Sequence, residues 1–463
     1  KTIVDLAMEM ASRRTFISLT LAVQRQDHGE QSYWMAVALG AALGQFGLPG
    51  GGVGLTFGAS GNVGAGHVRK RIPGLPVPKR PSGTPTISVS RVAELLEGVP
   101  GPQPFNGSAE PYPDIRLVYW VGGNVFHHHQ DLNRLMKAWS RPETIVVHEP
   151  FWTPAAKRAD IVLPATTPLE RSDLGAGENL LIAMQPVLAP YAEARDDFAI
   201  FSGIASRLGF GDDFSEGRTA EQWVEHLYEQ FRQQNNGAPP LDELREQGTL
   251  IHDVPKMGAT DQVFLEAFCQ DPQAHPLATP SGKIELYSQI IAGYGYDDCP
   301  GHPMWLEPFE RLGTPAAERH SLHLISNQPV GRLHSQYDHG EASQSTKVRG
   351  REPCRMHPDD ARARGIEAGD IVRLYNDRGA CLAAVVISDA VMSGAVQLST
   401  GAWFDPDENG MCKHGNPNVL TRDKGTSKLS QGPSAHTCLV EVEKFVGELP
   451  PVTAFDPPEF VVR

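Results

Sequence analysis

The chain has no paired cysteine motif. Its six cysteines, Cys269, Cys299, Cys354, Cys381, Cys412 and Cys438, are scattered without a C-x-x-C pair. That excludes a zinc ribbon or an iron–sulfur cluster built within this chain and leaves reduced, separately buried thiols as the expectation. Long apolar runs are missing too. The most apolar stretch, Ala36 to Leu55, is broken by Gln45, Pro49 and a series of glycines, so it reads as a helix and a glycine-rich turn, not as the ~20 apolar residues of a membrane span. Nor is there an excess of positive charge. A formal net charge of -14 excludes a broad nucleic-acid footprint, and Arg69-Lys-Arg71 with Lys79-Arg80 make only a local basic patch. Internal repeats and low-complexity tails are absent. The 463 residues exceed the ~250–300 at which single cores stop growing, so two to four domains are expected.

Near the start, Ser12-Arg-Arg-Thr-Phe-Ile17 has the look of a twin-arginine export signal. The apolar run behind it covers only Phe16 to Val23, then meets Gln24-Arg-Gln-Asp27 with no small-residue cleavage site, so a buried strand is the better reading. The first residue is Lys1, and the opening reads as the interior of a longer chain.

Residues 1 to about 210 alternate helix and strand, which predicts a parallel α/β sheet. Helices are expected at 2–12, 30–46, 89–97, 196–207 and 220–234, strands at 15–23, 114–121, 143–148 and 159–164, and a short helix at 152–158. Residues 72–114, rich in Pro and Gly, form a surface excursion around the helical 89–97. From about 312 the pattern changes to short strands, at 322–326, 371–375, 381–387 and 395–400, with turn signals such as Asn376-Asp-Arg-Gly379 and one helix at 358–364 stopped by Gly365. The expected division is an α/β region over 1–311 and a β-rich barrel over 312–463.

What is abundant is polar chemistry at one turn. Residues 119–131 read Tyr-Trp-Val-Gly-Gly-Asn-Val-Phe-His-His-His-Gln-Asp. Adjacent histidines are poor joint metal ligands, because neighbouring side chains diverge on both strand and helix and usual zinc spacings leave two to five residues between ligands. The apolar run Asp114 to Val121 predicts a buried parallel strand, Gly122-Gly123 a sharp exit, and apolar residues at 132, 135, 136 and 139 a helix. Strand, glycine turn and helix together are where open α/β sheets hold phosphorylated ligands. A purely structural turn and a metal site remain the other two readings of these residues.

The barrel region carries two further polar segments, Ser326-Asn-Gln-Pro-Val-Gly-Arg-Leu-His-Ser-Gln336 and Asn416-Pro-Asn-Val-Leu420 with Gly425-Thr-Ser-Lys-Leu-Ser-Gln-Gly432. Arg and Lys can neutralise phosphate, and Asn, Ser, Thr and Gln can satisfy a fused pterin or purine ring; a hydrogen-bonded loop network is the alternative.

Eight segments in one order resemble the molybdopterin oxidoreductases of the dimethyl sulfoxide reductase family: Gln24 to Gln31, Gly47 to Gly52, Trp120 to Asn124, His127 to Asp131, Ala159 to Thr167, Thr279 to Ser288, Arg332 to Gln336 and Gly425 to Gly432. Within that family the likeness is to the biotin sulfoxide reductase and trimethylamine N-oxide reductase branch, through His148-Glu-Pro-Phe-Trp-Thr153 and Gly401-Ala-Trp-Phe-Asp405. The resemblance implies a double-psi-type barrel that binds the dinucleotide, a bis(molybdopterin guanine dinucleotide) molybdenum cofactor, and oxygen-atom transfer from a small S-oxide or N-oxide, with electrons from a donor the sequence does not name. It implies neither nucleic acid nor a membrane span, and a cytoplasmic location unless a preceding segment directs export to the periplasm.

By the same resemblance Asn124, His128, His148, Glu149 and Asp160 contact one guanosine and its diphosphate, Asp160 accepting from guanine N–H donors. Arg332, His334, Ser335, Asn418, Gln431 and Gly432 close over the pterin ends and the other dinucleotide. Gln24 and Gln31 lie near the pterin, and His28 reads equally well as a structural histidine. Trp120, Trp152 and Trp403 are expected in the core. Leu21 stands where relatives usually have a tryptophan, and Ser172 where they have asparagine. No segment matches the family's long N-terminal portion with its metal-ligating serine, so no catalytic residue and no metal ligand is assigned, and little reductase activity is expected of these residues alone. The competing expectations are a formate dehydrogenase-like or nitrate reductase-like enzyme and a non-catalytic pterin-binding chain that needs a partner.

Overall fold

The apolar run at 114–121 forms the strand Leu117–Val121, one edge of a three-stranded parallel sheet. Thr144–Glu149 lies in the middle and Ile161–Pro164 on the far edge. This corrects the expectation of a buried strand: Leu117, Tyr119 and Val121 are exposed on one face, while Val118 and Trp120 on the other pack against the core. The buried strand is the central one, where Ile145, Val146, Val147 and His148 are all covered. The helix expected from the apolar spacing at 132–139 begins at Leu132, where the Asp131 carboxylate accepts the Arg134 amide and caps it. Its Leu132, Leu135, Ala138 and Trp139 are buried. Between glycine turn and helix stands an unexpected single turn, Val125–His128.

The computed structural model describes residues 1–55, 71–177, 180–251 and 263–458; Arg69 and Lys70 of the basic patch lie outside the described residues. The strand expected at 15–23 is shorter, Phe16–Leu19, paired in parallel with Gly52–Leu55. It ends because Thr20 gives its carbonyl to the Tyr33 hydroxyl, and the chain turns into a 3-10 segment, Leu21–Gln24. Phe16 stays 41% exposed, so this strand is not the buried one foreseen. The helices Thr2–Ser12, Asp197–Arg207 and Ala220–Gln234 stand where periodicity places them, the last opened by a Thr219–Gln222 capping box. A small antiparallel sheet of Asp173–Ala176, Leu180–Met184 and Thr249–Ile251 packs with the Ala220–Gln234 helix around Leu181, Tyr228, Phe231 and Leu244.

The barrel is closed and six-stranded. Around it run Leu322–Ile325, Ala395–Leu398, Pro353–Met356, Gly379–Ile387, Ile371–Asn376 and Leu439–Lys444, the last returning to the first. Two of these were not foreseen: Pro353–Met356 is short and starts with proline, and Leu439–Lys444 ends in charged residues that face water. Gly365 follows its helix at φ +64°, as a C-terminal stop requires. One continuous core joins Val125, Phe126, Trp139 and Val147 of the α/β region to Leu324, Val372, Leu398 and Val440 of the barrel. The glycine turn is therefore held rigidly against the barrel. Among the described residues no helix is long and apolar enough to cross a membrane.

Candidate functional site

Gly122 and Gly123 both have positive φ, +66° and +71°, a conformation that strongly favours glycine. The Trp120 indole donates to the Gly123 carbonyl at 2.9 Å. Asn124 accepts the Phe126 amide and donates to Ser335 Oγ at 3.4 Å, which ties the turn to the barrel loop. The single helical turn that follows splays the three histidines apart. His127 is buried with Nδ1 3.4 Å from Thr400 Oγ1, His128 lies over Gly123 on the open side, and His129 is buried edge-on to Trp120. Among the described residues no three His, Cys, Asp or Glu are grouped to hold a metal ion.

His334, at φ +52°, comes back from the barrel to the same place. Its ring centroid lies 5.2 Å from that of His127 and 5.7 Å from that of His128, which are themselves 4.8 Å apart. A third segment reaches the cluster from residues 24–31. The Arg25 carbonyl accepts the His436 amide, Asp27 N donates to Thr437 Oγ1 and pairs with Lys424, and His28 N donates to the Thr426 carbonyl. Arg25 Nε is buried with no hydrogen-bond partner, and no carboxylate pairs with Arg25 among the described residues.

The electrostatics follow from burial and this one uncompensated cation. Burial, then His128, His334 and Arg25, hold His127 down to about 2. Burial and then His334 and Arg25 lower His128; burial and then Arg25 lower His334. His436 is pushed down to about 4 by burial and then Arg25. All four rings are neutral at pH 7 and can each donate one N–H, while Arg25 carries the only fixed charge of the group. A part-buried guanidinium without a counter-ion among the described residues, neutral donors and a glycine turn open to a ligand suit an anion. These residues fit the diphosphate of a dinucleotide.

The structure brings Asn124, His128, His334, Ser335 and Asn418 into this cluster, Asn418 by donating to the His127 carbonyl at 2.6 Å. Gln431 and Gly432 close the loop on the cluster's flank, where Gly432 O accepts the Thr426 amide and Gln431 Nε2 donates to Pro104 O. Gln24 is exposed at the end of the 3-10 turn, beside an exposed Leu21. Gln31 and His28 are taken up internally, by Met304 N and by Asp298 O.

Three predicted residues stand elsewhere. Arg332 is buried, donating to Ser343, Glu352 and the Thr400 carbonyl. His148 has both ring nitrogens occupied, by the Tyr119 hydroxyl and the Asp197 carboxylate at 2.8 Å each. Asp160 lies at the opposite end of the parallel sheet, where it accepts the Ile145 amide at 2.9 Å.

Glu149 does face open space. It borders a cavity of about 730 Å³ at the strand ends, lined also by Phe151, Trp152, Leu169, Tyr191 and Tyr337. Burial raises its carboxyl to about 7 against hydrogen bonds from Thr153 and Phe151. Trp152, expected in the core, packs against it partly buried and also lines this cavity. The residues that sequence reasoning passed over are Arg25, His127 and His436. Arg25 and His127 sat inside segments already singled out, and only their three-dimensional surroundings distinguish them from their neighbours.

Residues 6–207 match the molybdopterin oxidoreductase family and residues 322–439 the molybdopterin dinucleotide-binding domain. Biotin sulfoxide reductase of Cereibacter sphaeroides is 47% identical over 451 residues, 96% of this chain and 60% of that protein. Dimethyl sulfoxide/trimethylamine N-oxide reductase of Rhodobacter capsulatus is 43% identical, over 99% of this chain and 58% of its own length. Trimethylamine-N-oxide reductase of Haemophilus influenzae is 41% identical over the whole chain and 58% of its own length. The chain thus spans about three fifths of these relatives. Acetylene hydratase from Pelobacter acetylenicus shares the fold, with a TM-score of 0.56 over 72% of this chain and 45% of its own, at 20% identity. From the closed barrel and these matches, the chain belongs to the molybdopterin oxidoreductases and carries their dinucleotide-binding domain.

Proposed function

We propose that the chain holds the dinucleotide arms of a bis(molybdopterin guanine dinucleotide) molybdenum cofactor and serves the reduction of a small S-oxide or N-oxide. The substrate class takes in biotin, methionine and dimethyl sulfoxides and trimethylamine N-oxide; its relatives' names support biotin sulfoxide, dimethyl sulfoxide and trimethylamine N-oxide. When bound, that cofactor supplies two-electron oxygen-atom exchange with the oxide. The chain's own residues bind and orient it: Arg25 answers the diphosphate charge, His128 and His334 donate to its oxygens, and the α/β region over 1–311 and the barrel over 312–463 form the two walls. Glu149, at the rim of the aromatic cavity, is placed to meet a guanosine there. Six free cysteines, five of them buried, suit the cytoplasm.

The observation that carries this reading is the unpaired Arg25 at the meeting of three histidines and a glycine turn. Purification of the full chain from a molybdate-supplemented host that makes the pterin tests it. Molybdenum with two guanine nucleotides per metal is expected, with loss of both in Arg25→Met. Recovery of the folded chain free of molybdenum and pterin overturns the proposal.

A further inference from the structure

Beneath the histidine cluster lies a group of fully buried charges. Arg332, Asp338, Lys347 and Glu352 have side chains 0–2% exposed. Arg332 pairs with Glu352 at 3.0 Å and Asp338 at 3.4 Å, and Lys347 pairs with Asp338 at 2.9 Å and Glu352 at 2.5 Å. Two cations thus face two carboxylates. Burial works to raise Asp338, but Lys347, His414 and Arg332 outweigh it and hold that carboxyl down to about 2. His414, beside Asp338 at 3.5 Å, is pushed down to about 4 by burial and is neutral at pH 7. The group therefore balances to zero.

Stability alone is a poor reason for such a group, since apolar side chains of similar volume would serve the core as well or better. Its hydrogen bonds give a better one. Asp338 accepts the Trp403 amide at 2.8 Å, Arg332 donates to the Thr400 carbonyl at 2.8 Å, and Trp403 Nε1 donates to the Ser335 carbonyl at 2.8 Å. Both ends of the segment 332–338 are thereby fastened to the segment 400–403. The contact is closest at Gly401, where a Cβ would stand 1.9 Å from the His334 carbonyl oxygen. Between those fastenings His334 is held at φ +52°, a conformation that costs a non-glycine residue about 1–3 kcal/mol unless its surroundings impose it. The same segment 400–403 touches the cluster a second time through Thr400 and His127.

We propose that Asp338, Lys347 and Glu352, with Arg332, are positioning residues that preset the loop bearing His334 and Ser335 for a phosphorylated ligand. The proposal rests on the dinucleotide reading above and adds to it. The network touches no ligand and acts through the loop, so Arg332 serves by holding His334 and not by meeting phosphate.

The test follows the His334 ring by NMR in the full chain, its signal assigned with His334→Gln. The groups facing that ring are His127, His128, Gln328 and Arg25, and burial followed by Arg25 holds its titration below the usual 6.5. The double variant Lys347→Met/Glu352→Gln removes one cation and one carboxylate and keeps the charge balance. Its melting temperature is expected near that of the parent, the His334 midpoint is expected to rise toward 6.5, and bound pterin per folded chain is expected to fall about tenfold. Lys347→Arg, which keeps the charge, is expected to hold both at the parent values. Ser343→Ala, which removes one hydrogen bond from each of Arg332 and Asp338, gives the same signs more weakly and serves if the double variant does not fold. An unchanged His334 midpoint in either folded variant overturns the proposal. A shifted midpoint in a chain whose parent binds no pterin upholds the positioning role and overturns the cofactor reading instead.

Discussion

Two arginines stand close enough to His127 to lower it and are used in opposite ways. Arg332, on the barrel loop, is matched by two buried carboxylates and two further hydrogen-bonding partners, Ser343 and the Thr400 carbonyl. Arg25, on the segment after the first strand, has no carboxylate among the described residues; the Nε of each arginine is buried without a partner, so the counter-ions alone distinguish them. One charge is spent inside the protein and the other is left facing the cluster. A motif that places an arginine near a ligand site therefore does not say which role that arginine has; its counter-ions do.

Removing Arg332 should produce the largest effect. Arg332→Ala leaves Asp338 and Glu352 buried against Lys347 alone, and a loss of about 3–5 kcal/mol is expected by denaturant unfolding. A loss as small as that of an exposed arginine would break the comparison. Arg25→Met is expected to leave the unfolding free energy unchanged or raised by less than about 1 kcal/mol, since an unpaired, part-buried charge is replaced by an apolar chain. Its effect appears in binding: affinity for inorganic pyrophosphate, measured by calorimetry, should fall about tenfold or more with the loss of charge-assisted contacts. The titration midpoints of His128, His334 and His436 should rise in the same variant, because Arg25 helps to hold each of them down.

The next effect is pH-dependent. Glu149 has its carboxyl raised by burial to about 7 from an ordinary 4.5, so the folded state favours its protonated form. Its contribution is fully present below 4.5 and is lost as pH rises through about 7. Glu149→Gln should remove that slope, shifting the difference in melting temperature between pH 5 and pH 8 by on the order of a few °C. An unchanged slope would show that Glu149 is open to water. The smallest effect belongs to Asp160. Asp160→Ala, which removes one acceptor for a backbone amide at the far end of the sheet, should cost about 1 kcal/mol or less and leave pterin content untouched. Loss of pterin in that variant would return Asp160 to the site.

Much of the architecture was legible because it follows from local rules. The helices Asp197–Arg207 and Ala220–Gln234 were readable from apolar spacing and caps, and the turn at Gly122-Gly123 from its glycines. The exposure of Leu117, Tyr119 and Val121 was not readable, since an apolar strand looks the same in sequence whether one of its faces is packed or both. The barrel strand Pro353–Met356 was lost for a related reason: four residues opening on proline carry little strand signal, and only closure by partners on both sides makes them a strand. Of the histidine cluster, Asn124, His128, His334 and Ser335 lie in segments that the sequence singles out. His148 and Asp160 belong to equally conspicuous motifs, yet the fold occupies their polar atoms with Tyr119 and Asp197 in one case and Ile145 in the other.

By itself the sequence determined the class of the protein: an alternating helix–strand region and then a β-rich one, bearing polar segments in the order shared by molybdopterin oxidoreductases. Those are properties of order and spacing along the chain. Tertiary structure decided which polar groups remain free. Whether a histidine, carboxylate or guanidinium can meet a ligand depends on partners hundreds of residues away, as Lys424 is from Asp27 and His436 from Arg25. Burial then sets the charge each group keeps, and only the assembled core fixes burial.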